Sequence, residues 1–183
     1  MKKSIYLAAI VYLNIASLTA QNCKYKTNDV DKFTGKMTKE TKSEKVISSF
    51  YSNGEFSIKK VDTVHTIVFD YSLSAYSKNE PSNLIKGQQL QFLLENGEMV
   101  TIKSLDEIKG TRKTTVGIPP VYTCYLTSIA YSITKGQMEA LVKSKVKSIR
   151  FYCTEPNGKE TNIDSEIKKK NQEDIIDLVK CML

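Results

Sequence analysis

The chain has 183 residues and a net charge of +7, with 27 lysines and arginines, 20 acidic residues, one histidine and four cysteines. One histidine leaves a single candidate for a Cys–His pair or a Ser–His–Asp triad. Four cysteines without a Cys-x-x-Cys spacing favour neither a zinc site nor another metal cofactor. The positive charge is almost all lysine and is spread along the chain, whereas nucleic-acid readers concentrate arginine in one patch. We therefore expect no nucleic-acid partner.

The N-terminus has the layout of a secretory signal peptide, which we predict over residues 1–20. Lys2 and Lys3 form a short positive region, and an interrupted apolar run begins at Ile5. This run is shorter than the roughly 20 apolar residues of a spanning helix. Cleavage removes two lysines and no acidic residue, so the net charge falls from +7 to +5. We expect one exported domain over residues 21–183, periplasmic or extracellular, without a transmembrane segment; an uncleaved N-terminal anchor is the alternative.

Cys23 is the one cysteine placed for a lipid anchor. Asn22 precedes it, where a lipoprotein peptidase requires a small residue. We therefore predict a product that is not lipidated.

The first part of the mature chain is rich in two-residue alternation and turn signals, which predict strands. A turn closed by Gly35 precedes the segment Lys36–Ile47, which consists mostly of threonine, lysine, serine and glutamate. A strand this polar is expected at a sheet edge, where lysines discourage pairing with other chains, or protruding into solvent. The segment Val64–Leu73 has clearer alternation and predicts a half-buried strand.

The sharpest local signal is Asn96-Gly97 between two apolar runs. Asn-Gly tolerates the positive φ angles of a type I′ turn and predicts a tight hairpin. We expect paired strands over Gln89–Leu94 and Met99–Leu105. Two-residue closure would place Leu94 opposite Met99.

Residues 106–120 form the longest stretch without periodicity and contain several Gly, Thr and Pro residues, which predicts a mobile loop. Lys109, Arg112 and Lys113 make this loop a candidate binding site for an acidic partner. The alternative is an ordinary solvated loop.

Strands and two helices are predicted in the rest of the chain. Thr134 and Gln137 fit a capping box at the start of the first helix, and apolar residues at helical spacing mark the second. The fold class is therefore α+β, a mainly antiparallel sheet with both helices packed on one face. The predicted elements are a strand over Val121–Tyr131, a helix over about 134–144, strands over Val146–Cys153 and Glu160–Ile167, and a helix over about 171–183.

An exported protein with an even number of cysteines is expected to form disulfides, and four cysteines allow three pairings. If the closing helix runs along the strand Val146–Cys153, the ends of the two elements come together. This geometry predicts a Cys153–Cys181 bridge and leaves Cys23 with Cys124.

Catalytic candidates are few. His65 alternates with Ile67 and Phe69, which predicts an ordinary strand residue. A glycosidase needs only two carboxylates, so a carboxylate-based hydrolase is the enzymatic alternative, although tryptophan, a frequent sugar platform, is absent. The available carboxylates are Asp70, Glu95, Glu98, Asp106 and Glu107.

The run Val30–Gly35 (Val-Asp-Lys-Phe-Thr-Gly) shortly after an early cysteine resembles the opening of small exported proteins of Bacteroidota. Ser132–Leu141 and Val146–Arg150 are similar to segments of the same group. The resemblance implies export from a Gram-negative cell and a β-rich fold. The group has no assigned activity, so the resemblance implies no catalytic residues.

These patterns favour an exported, non-enzymatic domain that binds a protein or a cell-envelope component. They name no specific partner and predict no oligomeric state.

Overall fold

The computed structural model describes residues 23–75, 82–115 and 121–183. The predicted signal peptide and Asn22 lie outside these residues. These described residues form eleven strands and two helices. In chain order they are β1 (Tyr25–Val30), β2 (Met37–Thr41), β3 (Glu44–Ser48), β4 (Ser52–Val61), β5 (Val64–Ala75), β6 (Gln89–Leu94), β7 (Met99–Ser104), β8 (Thr111–Thr115), β9 (Val121–Ile133), α1 (Lys135–Lys143), β10 (Val146–Thr154), β11 (Glu160–Glu166) and α2 (Lys169–Lys180).

All the strands belong to one sheet, in the order β1-β2-β4-β5-β9-β7-β6-β10-β11. Two further strands join from the side, β3 on β4 and β8 on β9. Each of these strand pairs is antiparallel. A mainly antiparallel sheet with two helices confirms the predicted α+β class.

The sheet folds over at the contact between β9 and β7. Only Lys103 and Ser104 of β7 pair with β9, opposite Ser132 and Tyr131. Three strands separate β5 from β10 in the sheet order, yet the rings of Phe69 on β5 and Phe151 on β10 lie 5.5 Å apart. A flat sheet would place these strands far apart, since neighbouring strands are spaced by about 4.8 Å. The β4–β5 layer therefore faces the β6–β10 layer.

Five rings, which we call the aromatic cluster, fill the space between the two layers. Phe56 on β4 contacts Phe69 at 4.7 Å and Phe92 on β6 at 5.8 Å between ring centroids. Tyr71 contacts Phe151 at 5.5 Å. All five are buried, and aromatic rings of this size supply much of the energy of a core.

The predicted β6 and β7 strands are confirmed, but their predicted register is wrong by one residue. Leu93, not Leu94, lies opposite Met99. The Leu94 N–H donates to the Glu98 carbonyl, and Gly97 has a φ of +85°, which makes a three-residue loop instead of a two-residue turn. The observed register pairs buried residues with each other, whereas the predicted one would place buried Leu94 opposite exposed Met99.

The prediction that the polar segment Lys36–Ile47 lies at a sheet edge is wrong for its first half. Its first half is β2, which pairs with β1 on one side and with β4 on the other. The buried Thr41 side chain accepts a hydrogen bond from the Ile58 N–H at 2.9 Å. Hydroxyl side chains can enter a core when they are hydrogen-bonded in this way, so a polar composition did not imply an edge.

Both predicted helices form. Thr134 and Gln137 make the predicted capping box of α1. The second helix begins two residues earlier and ends three residues earlier than predicted, at Lys169 and Lys180. It packs mainly on β3, where the Asn171 side-chain amide donates to the Val46 carbonyl at 3.0 Å. Within the described ranges, neither helix has the length and apolar character needed to cross a membrane.

Cys23 is bonded to Cys181, so the predicted Cys153–Cys181 and Cys23–Cys124 pairings are wrong. The error lies in the path of α2, which was expected to follow β10 but instead crosses to β3. This path brings Cys181 to the start of β1, where the Tyr25 hydroxyl also donates to the Cys181 carbonyl at 3.1 Å. Cys124 and Cys153 are free thiols.

A substitution at Gly54 on β4 tests the packing of the core. A Cβ atom at this position would lie 2.9 Å from the Phe69 ring and 3.0 Å from Ile47 Cδ1. We expect Gly54→Ala to lower the free energy of unfolding by about 1–3 kcal/mol, the usual cost of overpacking, in urea denaturation. Gly136→Ala is the matched control, because nothing lies within 4 Å of its Cβ and alanine favours a helix by up to about 1 kcal/mol. Equal stability of the two variants would contradict the described core.

Candidate partner-binding strand

The candidate site is β8, five exposed residues beside the first half of β9. The prediction of a loop over 106–120 is wrong for Thr111–Thr115, which pair with Tyr125 through Val121. Residues 116–120 lie outside the described residues. Threonines favour a strand, and no glycine or proline interrupts these five positions. This local signal could have identified the strand.

Two cations of β8 lie over tyrosine rings of β9. The Arg112 guanidinium carbon is 5.8 Å from the Tyr122 ring centroid, and Lys113 Nζ is 5.5 Å from that of Tyr125. In each pair the tyrosine lies diagonally across the ladder from its cation, a separation that aromatic and long side chains can span. The contact between these tyrosines and the cations was not predicted, because it depends on the pairing of β8 with β9.

The two cations point to opposite faces of the strand, because neighbouring residues of a strand alternate between faces. Arg112 is opposite Cys124, whereas Lys113 is opposite Thr123. The third predicted cation, Lys109, is exposed and precedes the strand. The Gly110 N–H donates to the Asn83 side chain at 3.0 Å, which fixes the start of β8. The structure therefore places Arg112 and Lys113 on β8 and Lys109 just before the start of that strand.

One edge of β8 pairs with β9, and no other described strand pairs with its second edge. In an antiparallel ladder, alternate residues direct their N–H and C=O groups away from the partner strand. Such an edge is a template for pairing with another chain.

Asp70, a carboxylate candidate for hydrolysis, supports a β-bulge. Its Oδ1 accepts a hydrogen bond from the Ser128 N–H at 2.5 Å. Ser128 has a φ of +56°, and the β5–β9 register shifts between Phe69 and Tyr71, next to this contact. A charged acceptor at a strained backbone position stabilises the bulge.

The four other candidate carboxylates lie at opposite ends of the β6–β7 hairpin. Glu95 and Glu98 flank its turn, whereas Asp106 and Glu107 follow the end of β7. The six residues of β7 separate the two groups by about 20 Å. Glycosidases place their two carboxylates about 5 to 9.5 Å apart, so these two groups cannot act as one pair.

Among the residues that the structure describes, two carboxyls have a displaced pKa, and in both it is lowered. N–H donors of Thr34 and Phe33 lower the pKa of Asp31. The guanidinium of Arg150 lowers the pKa of Asp164 through two hydrogen bonds of 2.7 Å. A general acid needs a raised carboxyl pKa, so neither residue has the property that glycoside hydrolysis requires.

His65 Nε2 lies 3.1 Å from the Met182 carbonyl oxygen. A carbonyl can only accept a hydrogen bond, so the ring nitrogen donates, and the contact holds the end of the chain against β5.

A comparison with protein-family models, curated proteins and solved structures finds no match for this chain.

The support that Asp70 gives to the bulge can be measured. We expect Asp70→Ala to lower the free energy of unfolding by about 1–2 kcal/mol, because the Ser128 N–H loses a charged acceptor. Asp70→Asn retains an acceptor oxygen and should cost less than half as much. Urea denaturation of the two variants compares them directly. Equal losses for Ala and Asn would show that the hydrogen bond does not stabilise the bulge.

Proposed function

We propose that the protein is an exported, non-enzymatic domain that binds an extended acidic segment of a partner protein as an additional strand on β8. The observation that carries the proposal is the combination of two features of the same exposed strand: an edge that pairs with no described strand, and Arg112 and Lys113 on its two faces. Main-chain hydrogen bonds supply the affinity in this mode of recognition, and the flanking side chains supply the specificity.

The charge pattern selects the partner. Side chains of an added strand alternate between the two faces, so a segment with acidic residues on both faces meets Arg112 on one and Lys113 on the other. Each directly opposed pair of unlike charges contributes about 0.2–1 kcal/mol. Lys109 extends the positive charge beyond the start of the strand. The five residues of β8 include no aspartate or glutamate.

The tyrosines of β9 support the recognition strand. Contact with the Tyr122 and Tyr125 rings holds the two cations over the sheet, and such contacts contribute about 0.5–1 kcal/mol at exposed sites. Side chains that are already restrained lose less conformational entropy when a partner binds. A rigid strand therefore suits this role better than the loop predicted from sequence.

Export is part of the same proposal. The signal-like N-terminus and the resemblance to exported Bacteroidota proteins support it, and the Cys23–Cys181 disulfide agrees with an oxidising compartment. We place the protein in the periplasm or outside the cell, without a lipid anchor. We also infer that both helices cover one face of the sheet, since α1 and α2 contact each other.

A synthetic ten-residue peptide in which pairs of threonines alternate with pairs of glutamates presents glutamate on both faces of a strand and provides a direct test. We expect its addition to shift the amide NMR signals of β8 in the isotope-labelled protein. The triple variant Lys109→Gln/Arg112→Gln/Lys113→Gln should bind it about 10-fold more weakly, since three pairs at about 0.5 kcal/mol each give this factor. A peptide with lysine in place of glutamate should not bind.

Two controls separate strand addition from simple charge attraction. The variant Lys32→Gln/Lys36→Gln/Lys42→Gln removes one exposed lysine of the β1–β2 turn and the two exposed lysines that flank β2, and it should bind like the parent protein. Methylation of alternate peptide nitrogens removes hydrogen-bond donors without a change of charge. Of two peptides methylated at odd or even residues, one should bind normally and the other should not. Equal binding by both, or equal loss in the two triple variants, would contradict the proposal.

A further inference from the structure

Two thiols from opposite layers of the sheet line one small cavity. Cys124 lies on β9 and Cys153 on β10. Both border a small, partly open cavity of about 30 Å³, together with Tyr71, Leu126 and Ser82. This space is large enough for about one water molecule. Because only a small cavity separates the two residues, a limited movement of the layers would bring their sulfur atoms together.

Strand alternation directs both thiols inward. Cys124 lies two residues before the buried Leu126, and Cys153 lies two residues after the buried Phe151, so each shares the inward face of its strand. Phe151 contacts Tyr71 across the layers at 5.5 Å. The two cysteines therefore continue the aromatic cluster at one end of the core.

The packing of this cavity is incomplete. The buried Tyr71 hydroxyl lacks a well-formed hydrogen bond among the described residues; burial raises its pKa, and the nearby Ser52 side chain offsets only part of this rise. Native cores seldom leave a buried hydroxyl unpaired. The Tyr71 hydroxyl and the two free thiols line the same cavity. We therefore expect the side chains around this cavity to be able to rearrange.

We propose that Cys124 and Cys153 are a redox-active pair that closes to a second disulfide and joins the two layers of the sheet. This bond can coexist with Cys23–Cys181, because each of the four cysteines then takes part in one disulfide. It also stands apart from the proposed function, since it requires no partner at β8.

The oxidant is a second disulfide, either a small molecule or the active site of a thiol oxidoreductase. Cys124 reacts first, because it is half-buried whereas Cys153 is fully buried. The Cys124 thiolate attacks one sulfur of the oxidant, the oxidant's S–S bond breaks, and one thiol leaves. The Cys153 thiolate then attacks the Cys124 sulfur and releases the second thiol. Two protein thiols are oxidised, one disulfide is reduced, and both protons pass to the leaving thiols.

Burial raises the pKa of both thiols, and the nearby Arg112 partly offsets this for Cys124. A raised pKa leaves less thiolate at neutral pH, so closure should accelerate as the pH rises. The neighbouring guanidinium also favours Cys124 as the first sulfur to react.

Oxidation of the purified protein by oxidised glutathione at pH 8, followed by tryptic digestion without reductant, tests the proposal. We expect a linked pair of peptides, residues 114–135 with residues 151–159, and a fall in free thiols from two to none. Closure should raise the midpoint temperature of unfolding by on the order of 5–10 °C. Persistence of both thiols, or a link from Cys153 to Cys23 or Cys181, would overturn the proposal.

Single variants test the order of the two steps. In Cys153→Ser, the first step should stop at a glutathione adduct on Cys124, visible by mass spectrometry. In Cys124→Ser, the buried Cys153 should remain unmodified in the native protein. If serine disturbs the buried position, Cys153→Ala provides the same readout. A stable glutathione adduct on Cys124 in the parent protein, without closure, would show that the two thiols do not meet.

Discussion

The divided pairing of β9 is the constraint on which the rest of the structure depends. One side of this strand pairs with β5 along nearly its whole length, whereas the other side is shared between β8 and β7. The sheet cannot continue flat past such a division. It folds over, and the facing layers bury the aromatic cluster, which includes Phe69 and Phe151. The hydrophobic burial of these rings is the principal gain that favours the folded-over sheet.

The same division produces both features that we connect with function. Because β7 occupies only the end of β9, the first half of that strand is left to β8, a short strand whose other edge pairs with no described strand. The fold-over also brings Cys124 and Cys153 to one cavity from strands that are distant in the sheet order. Arg112 links the two places, since it lies over Tyr122 on the partner-binding strand and opposite Cys124 in the ladder.

Sequence patterns predicted the elements that depend on neighbouring residues. The capping box at Thr134 and the strand Gln89–Leu94 are encoded within a few positions, and both are confirmed. Features that depend on distant segments were not predictable in the same way. The Cys23–Cys181 bond requires the path of α2 over β3, and the pairing of β8 requires β9 as its neighbour. The register beside Gly97 was wrong because burial, rather than the turn signal alone, sets which residues face each other.

Nuclear Overhauser contacts between the rings of Phe69 and Phe151 test the fold-over most directly. The two rings are 5.5 Å apart between centroids, so we expect cross-peaks between their protons. Phe56 and Phe69, which lie 4.7 Å apart on neighbouring strands, provide the internal reference, since they are close in a flat sheet as well. Cross-peaks for both pairs would support the folded-over sheet. Cross-peaks for Phe56 and Phe69 alone would show that the sheet is open and would contradict the account.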